Sequence, residues 1–102
     1  MKVNDMDIEL DKDGFMKDPG LWDDEIARAI ADEEGINEMT EDHWKLVNFI
    51  REYWKENDIA PAVRLLCKET GLSVRQIFQL FSSGPARGAC RVAGLPKPDG
   101  CV

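Results

Sequence analysis

Pro61-Ala62-Val63-Arg64-Leu65-Leu66-Cys67-Lys68-Glu69-Thr70-Gly71-Leu72-Ser73-Val74-Arg75-Gln76-Ile77-Phe78-Gln79-Leu80-Phe81 is the stretch on which the fold turns. It reads as two helices meeting at a glycine. Pro61 suits a first helical position, where the missing N–H is not needed, and Gly71 suits a C-terminal cap. Ala62, Leu65 and Leu66 are expected to face inward. Ser73 with Gln76 three residues on forms a capping box, which opens the second helix. Val74, Ile77, Phe78 and Phe81 recur at helical spacing and predict its apolar stripe. Cys67, Gly71, Leu72, Ile77 and Leu80 also stand at the spacing of a helix-turn-helix pair. Any two helices joined by a tight glycine turn produce the same spacing.

Upstream, a helix is expected over Thr40–Asn57, with Thr40 as cap, Glu41 and Asp42 in the first turn, and an apolar face of Leu46, Val47, Ile50, Tyr53 and Trp54. Before it, Asp23–Glu34 predicts another helix. It carries acids in the first turn, Trp22, Ile26, Ala29 and Ile30 on one stripe, and Gly35 at the end. Asp18-Pro19-Gly20 breaks regular structure ahead of that. Lys2–Asn4, Ile8–Leu10 and Phe15–Lys17 read as short strands, joined by turns at Asn4-Asp5 and at Asp11-Lys12-Asp13-Gly14. The expected fold class is therefore α+β. A small N-terminal antiparallel meander lies on four to five helices, and residues 1–84 form one globular domain.

At 102 residues the chain is long enough for one modest core. No segment approaches the roughly 18 apolar residues of a membrane span, and the N-terminus lacks the apolar stretch of a secretory signal, so the cytoplasm is the expected compartment. Three cysteines and one histidine in distant segments are a poor basis for a closed zinc site, and no metal or cofactor is expected on this chain. The overall charge of −7 is unevenly distributed. Residues 1–58 hold seven Lys and Arg against 18 Asp and Glu, whereas residues 59–102 hold six against two. A solvated acidic face accounts for the first half. The basic second half is expected to attract an anionic ligand or partner surface.

From residue 85 onward, three glycines and three prolines fall among 18 residues with few large apolar side chains, and a flexible C-terminal arm over residues 85–102 is expected, with a short helix near Ala86–Ala93. Two thiols lie on it. Cys101 is next to the terminus, and the extended arm would reach roughly 60 Å. Cys90 lies 11 positions earlier, and Gly94 and Gly100 allow the chain to fold back. Closing that loop with a disulfide constrains the unfolded chain by about 3 kcal/mol. Arg87 and Arg91 flank Cys90, and Lys97 is near Cys101; such cations favour thiolate. Composition alone also allows a frayed tail with two incidental thiols. Cys67, beside Val63 and Leu66, reads as a small buried hydrophobe. His43, among acids, reads as a packing or surface residue.

Leu80-Phe81-Ser82-Ser83-Gly84-Pro85-Ala86-Arg87-Gly88-Ala89-Cys90-Arg91-Val92-Ala93-Gly94-Leu95-Pro96-Lys97-Pro98-Asp99-Gly100-Cys101-Val102 resembles the C-terminus of the DsrC/TusE family. The likeness runs upstream through Glu34-Gly35-Ile36 and the helix from Thr40 to Trp54, covering essentially the whole chain. The family often has proline where Ser82 stands and a small or hydroxyl residue where Asp99 stands. TusE-like members, which relay sulfur for transfer-RNA thiolation, keep the terminal cysteine and lack the upstream one. This chain has both and so resembles the two-cysteine branch, known as the gamma subunit of dissimilatory sulfite reductase.

That resemblance implies a sulfur carrier that is not an enzyme alone. Cys101 would accept sulfur as a persulfide beside the sirohaem of the reductase alpha and beta subunits, which also hold an iron–sulfur cluster. Cys90 would resolve it as a trisulfide, and a membrane-bound electron-transfer complex would reduce the product. In sulfur oxidisers the flow would reverse. The alternatives are a TusE-like relay working with other sulfurtransferases, and a helix-turn-helix regulator binding nucleic acid. The net charge and the lone Arg75 on the would-be recognition helix argue against strong DNA affinity.

Overall fold

Short-range hydrogen bonds set most element boundaries in the computed structural model, which describes residues 2–3, 5–84 and 88–96. Strands β1 (Lys2–Val3) and β2 (Met6–Asp7) pair antiparallel, with Lys2 opposite Asp7 and Val3 opposite Met6. The expected strands at Ile8–Leu10 and Phe15–Lys17 shrink to a single bridge between Leu10 and Met16. The cause is the turn between them. Asp11 Oδ1 accepts from the backbone N–H of both Asp13 and Phe15 at 2.9 Å, curling the chain into a loop. A pleated strand would send Phe15 and Met16 to opposite faces; here both are buried, together with Ile8.

A 3-10 turn (Pro19–Leu21) leads into α1 (Asp24–Glu33), whose cap Asp23 accepts from the Ile26 N–H at 2.9 Å. Helix α2 (Glu41–Asn57) begins after Thr40 as expected. His43 Nδ1 accepts the Thr40 N–H at 2.9 Å, which leaves the ring proton on Nε2 to donate to the Leu80 carbonyl at 3.0 Å. The ring also meets Phe81 edge-on, with centroids 5.1 Å apart. One buried imidazole thus ties the start of α2 to the end of a later helix. Replacing it by alanine is expected to cost about 2 kcal/mol, measured as a lower thermal midpoint.

Helix α3 spans Val63–Thr70, with Ala62 as cap and Gly71 behind it. Pro61 therefore stands before the cap and is not the first helical residue, and Ala62 is exposed. Helix α4 (Val74–Leu80) opens with the expected Ser73–Gln76 capping box, with bonds of 2.8 and 3.1 Å. Only part of its apolar stripe is buried. Ile77 and Phe81 are fully covered, while Val74 and Phe78 are 47% and 49% exposed. A helix of 7 residues is too short to bury the whole stripe against the body.

Helix α5 (Cys90–Val92) is entered through a wider π-type turn at residues 88–89. It packs against α1 and α2, and α2 also carries α3. The structure is α+β, as expected. Among the described residues no helix is long and apolar enough to cross a membrane. The expected boundary between body and arm is corrected. Ala89, Val92, Ala93 and Leu95 are at most 1% exposed, so the stretch from 88 to 96 belongs to the core. Its small side chains fill close approaches between helices.

Candidate functional site

Cys90 occupies the first position of α5 and is only 4% exposed. Its seat is built from tight backbone contacts. A Cβ on Gly88 would stand 2.8 Å from Cβ of Phe81, so the chain crosses the end of α4 where only glycine fits. At the other end, Gly94 adopts φ +75°, and a Cβ there would fall 2.1 Å from Cδ1 of Trp22. Gly94 was expected to let the arm fold back. It instead caps the helix and lies against an indole.

The last carbonyls of a helix have no partners within it. In α5 and its cap all four find donors. Leu95 N–H reaches the Cys90 carbonyl at 3.2 Å and Gly94 N–H the Arg91 carbonyl at 3.0 Å, the paired bonds of a Schellman motif. The indole Nε1 of Trp22 donates to the Val92 carbonyl at 2.8 Å. Arg51 Nη1 donates to the Ala93 carbonyl at 2.9 Å, and its Nη2 donates to the Pro19 carbonyl at 2.7 Å.

Arg51 is a buried cation on the apolar face of α2. Its guanidinium lies 4.4 Å from the Trp22 ring centroid and 5.8 Å from that of Trp54. Burial lowers its pKa from the ordinary arginine value, with neighbouring Glu52 opposing. It remains charged at any physiological pH. Sequence reasoning missed Trp22 and Arg51 as site residues. The available signal was a charge at the register of Val47 and Trp54, in the middle of a core stripe.

Arg91 was expected to promote thiolate at Cys90. Its guanidinium instead turns to the body. Nε donates to the Gly14 carbonyl at 2.8 Å, Nη1 pairs with Glu34, and Nη2 lies 3.9 Å from Glu33. Glu34 in turn accepts the Ser83 hydroxyl at 2.7 Å. Two carboxylates thus compensate the charge, and Arg91 serves to fasten α5. Asp13, Glu34, Ser83 and Arg91 line a polar cleft of about 330 Å³ beside it. Cys67 is half-buried on α3, packed against the core. Among the described residues no group of His, Cys, Asp and Glu could hold a metal ion. Cys101, Arg87, Lys97 and Gly100, the other expected site residues, lie outside the described residues.

This arrangement presents one thiol from a closely packed seat, 11 residues before Cys101 in the sequence. Comparison with known proteins agrees with the likeness seen in the sequence. The family model described as "DsrC like protein" matches residues 2–102. The chain is 46% identical over 95 residues to the dissimilatory-type sulfite reductase subunit gamma of Nitratidesulfovibrio vulgaris, covering 93% of this chain and 90% of the relative. It is 41% identical over 104 residues to the sulfurtransferase TusE of Photorhabdus laumondii, covering 94% and 92%. The crystal structure of the oxidized gamma-subunit (DsrC) from Archaeoglobus fulgidus superposes with a TM-score of 0.90 at 41% identity, over 100% of this chain and 98% of that one.

Proposed function

Because this chain belongs to the DsrC-like family, we propose that it is a sulfur carrier serving a dissimilatory sulfite reductase through Cys101 and Cys90. The seat of Cys90 supports this most directly. A cysteine 4% exposed, on a helical turn whose C-terminal carbonyls are all bonded, is held in place, so in this reading Cys90 is the stationary partner and Cys101 the travelling one. Cys101 visits the reductase, where sulfur is held at an intermediate oxidation level, and takes it up. It then returns to Cys90.

The chemistry balances if that sulfur is at the +2 level with two oxygens bound. Each thiol condenses with it, each oxygen leaves as water, and a trisulfide joins Cys101 to Cys90 with no further oxidant. Four electrons and four protons, from an electron-transfer complex, restore both thiols and release hydrogen sulfide. In a sulfur oxidiser the same steps run backward. The sirohaem and iron–sulfur cluster belong to the partner in this scheme, and this chain supplies the thiols and their geometry.

A single-thiol relay is the second reading, favoured by the 41% identity to a protein named sulfurtransferase TusE. Cys90 separates the two. Protein incubated with sulfite, an electron donor and reductase is expected to gain one sulfur atom, mapped by peptide mass between Cys90 and Cys101. If Cys90→Ser passes sulfur on at the full rate while Cys101→Ser is inert, the relay is right. An unchanged mass under turnover refutes the carrier assignment. DNA binding gains no support from α4, whose exposed face offers Val74 and Phe78 with Arg75 as its one cation.

A further inference from the structure

Trp22 and Arg51 reach the C-terminal segment from far away in the chain. The Trp22–Val92 bond spans 70 residues and the Arg51–Ala93 bond 42. Each satisfies a carbonyl that α5 cannot satisfy itself and that water would take if the segment lifted. The two side chains also hold each other, since the guanidinium stacks on the Trp22 ring while its second arm grips the Pro19 carbonyl just upstream. Among the described residues Arg51 forms no ion pair with a carboxylate. Its positive charge is directed at carbonyl dipoles at a helix end and at aromatic faces.

We propose that Trp22 and Arg51 are positioning residues for the Cys90 thiol, acting as a two-pronged clamp on the end of its helix. Neither touches the reacting sulfur. They keep Cys90 seated so that, in the carrier reading, an arriving Cys101 finds its target in one place. An arginine is required because its planar fork spans two carbonyls at once, which an ammonium on a single stem cannot do. The part of the inference that concerns Cys101 rests on the carrier reading; the seating of Cys90 does not.

Arg51→Lys and Trp22→Phe are conservative variants that keep charge and ring respectively. In a Cys101→Ser background, alkylation of Cys90 by iodoacetamide without denaturant is expected to rise at least about tenfold in either variant, because one net hydrogen bond to the segment is gone. Cys67 on α3 is the internal reference and should change by less than about twofold, since opening of α5 alone leaves it packed. In the full chain the equilibrium constant for forming the Cys90–Cys101 disulfide from glutathione disulfide should fall by a similar factor, as the effective concentration of the two thiols drops. If Cys90 and Cys67 rise together, the residues serve general stability and the clamp is wrong. An unchanged Cys90 rate in folded variants also overturns it. If the parent chain forms no Cys90–Cys101 bond, the carrier reading fails on that measurement, while the alkylation rates still decide the clamp.

Discussion

Gly94→Ala is expected to destabilise the protein by about 4 kcal/mol, read as a lower urea midpoint with an unchanged slope. Two separate effects act at this one position. The backbone sits at φ +75°, which strains any residue with a side chain. The added methyl also meets Cδ1, Cγ and Cβ of Trp22 at 2.1, 2.5 and 2.8 Å, the rigid root of the indole and not its outer edge. Trp22 must move, and its bond to the Val92 carbonyl goes with it. Gly35 provides the control. It has φ +86° with nothing within 4 Å of a built Cβ, so Gly35→Ala carries the backbone strain alone, about 1 kcal/mol. A Gly94→Ala loss no larger than that of Gly35→Ala would mean the indole contact carries no weight.

Glu34→Ala is the second large expected effect, about 3 kcal/mol by chemical denaturation. The carboxylate side chain is 6% exposed and pairs with Arg91, which is 15% exposed. Removing it leaves a largely desolvated guanidinium with the Gly14 carbonyl and a looser contact to Glu33 at 3.9 Å. Ser83 loses its acceptor as well. The remaining exposure of Arg91 and the nearby Glu33 keep the expected figure at the low end for broken buried pairs. In a double-mutant cycle with Arg91→Met, the pair should unfold with little more loss than Glu34→Ala alone. Additive losses would show that the two groups are not coupled.

Where short-range chemistry decides structure, the sequence was readable. Asp23, Thr40 and Ser73 each mark a helix start because a cap interacts with residues at most a few positions away. The α3 start was misplaced because Pro61 fits a first helical turn and the segment before it equally well. Meander strands were overestimated for a similar reason, since the Asp11 side chain bonds that curl the loop compete with pairing. Val74 and Phe78 keep helical spacing whether or not anything covers them, so periodicity alone could not tell that they are exposed.

Long-range fit was not readable. Gly88, Ala89, Ala93 and Gly94 look like linker composition, yet small residues are what a backbone needs when it crosses Phe81 and Trp22 at close range. Which of those two meanings applies depends on side chains many positions away. The place of Cys90 in the chain, 11 residues before Cys101, was legible. Its burial was not, nor was the direction of Arg91, which depends on Glu33, Glu34 and Gly14 arriving beside it.

The lodging of residues 88–96 among α1, α2 and the Pro19 turn has a hereditary side. A premature stop codon ahead of Cys90 would remove both thiols and also strip Val92, Ala93 and Leu95 from the interior, leaving the Trp22 indole without its acceptor and Arg51 without one of its two. Descendants cannot shed both thiols by simple truncation and retain a sound scaffold. Point substitution at a single cysteine is the milder route by which a lineage could lose a thiol.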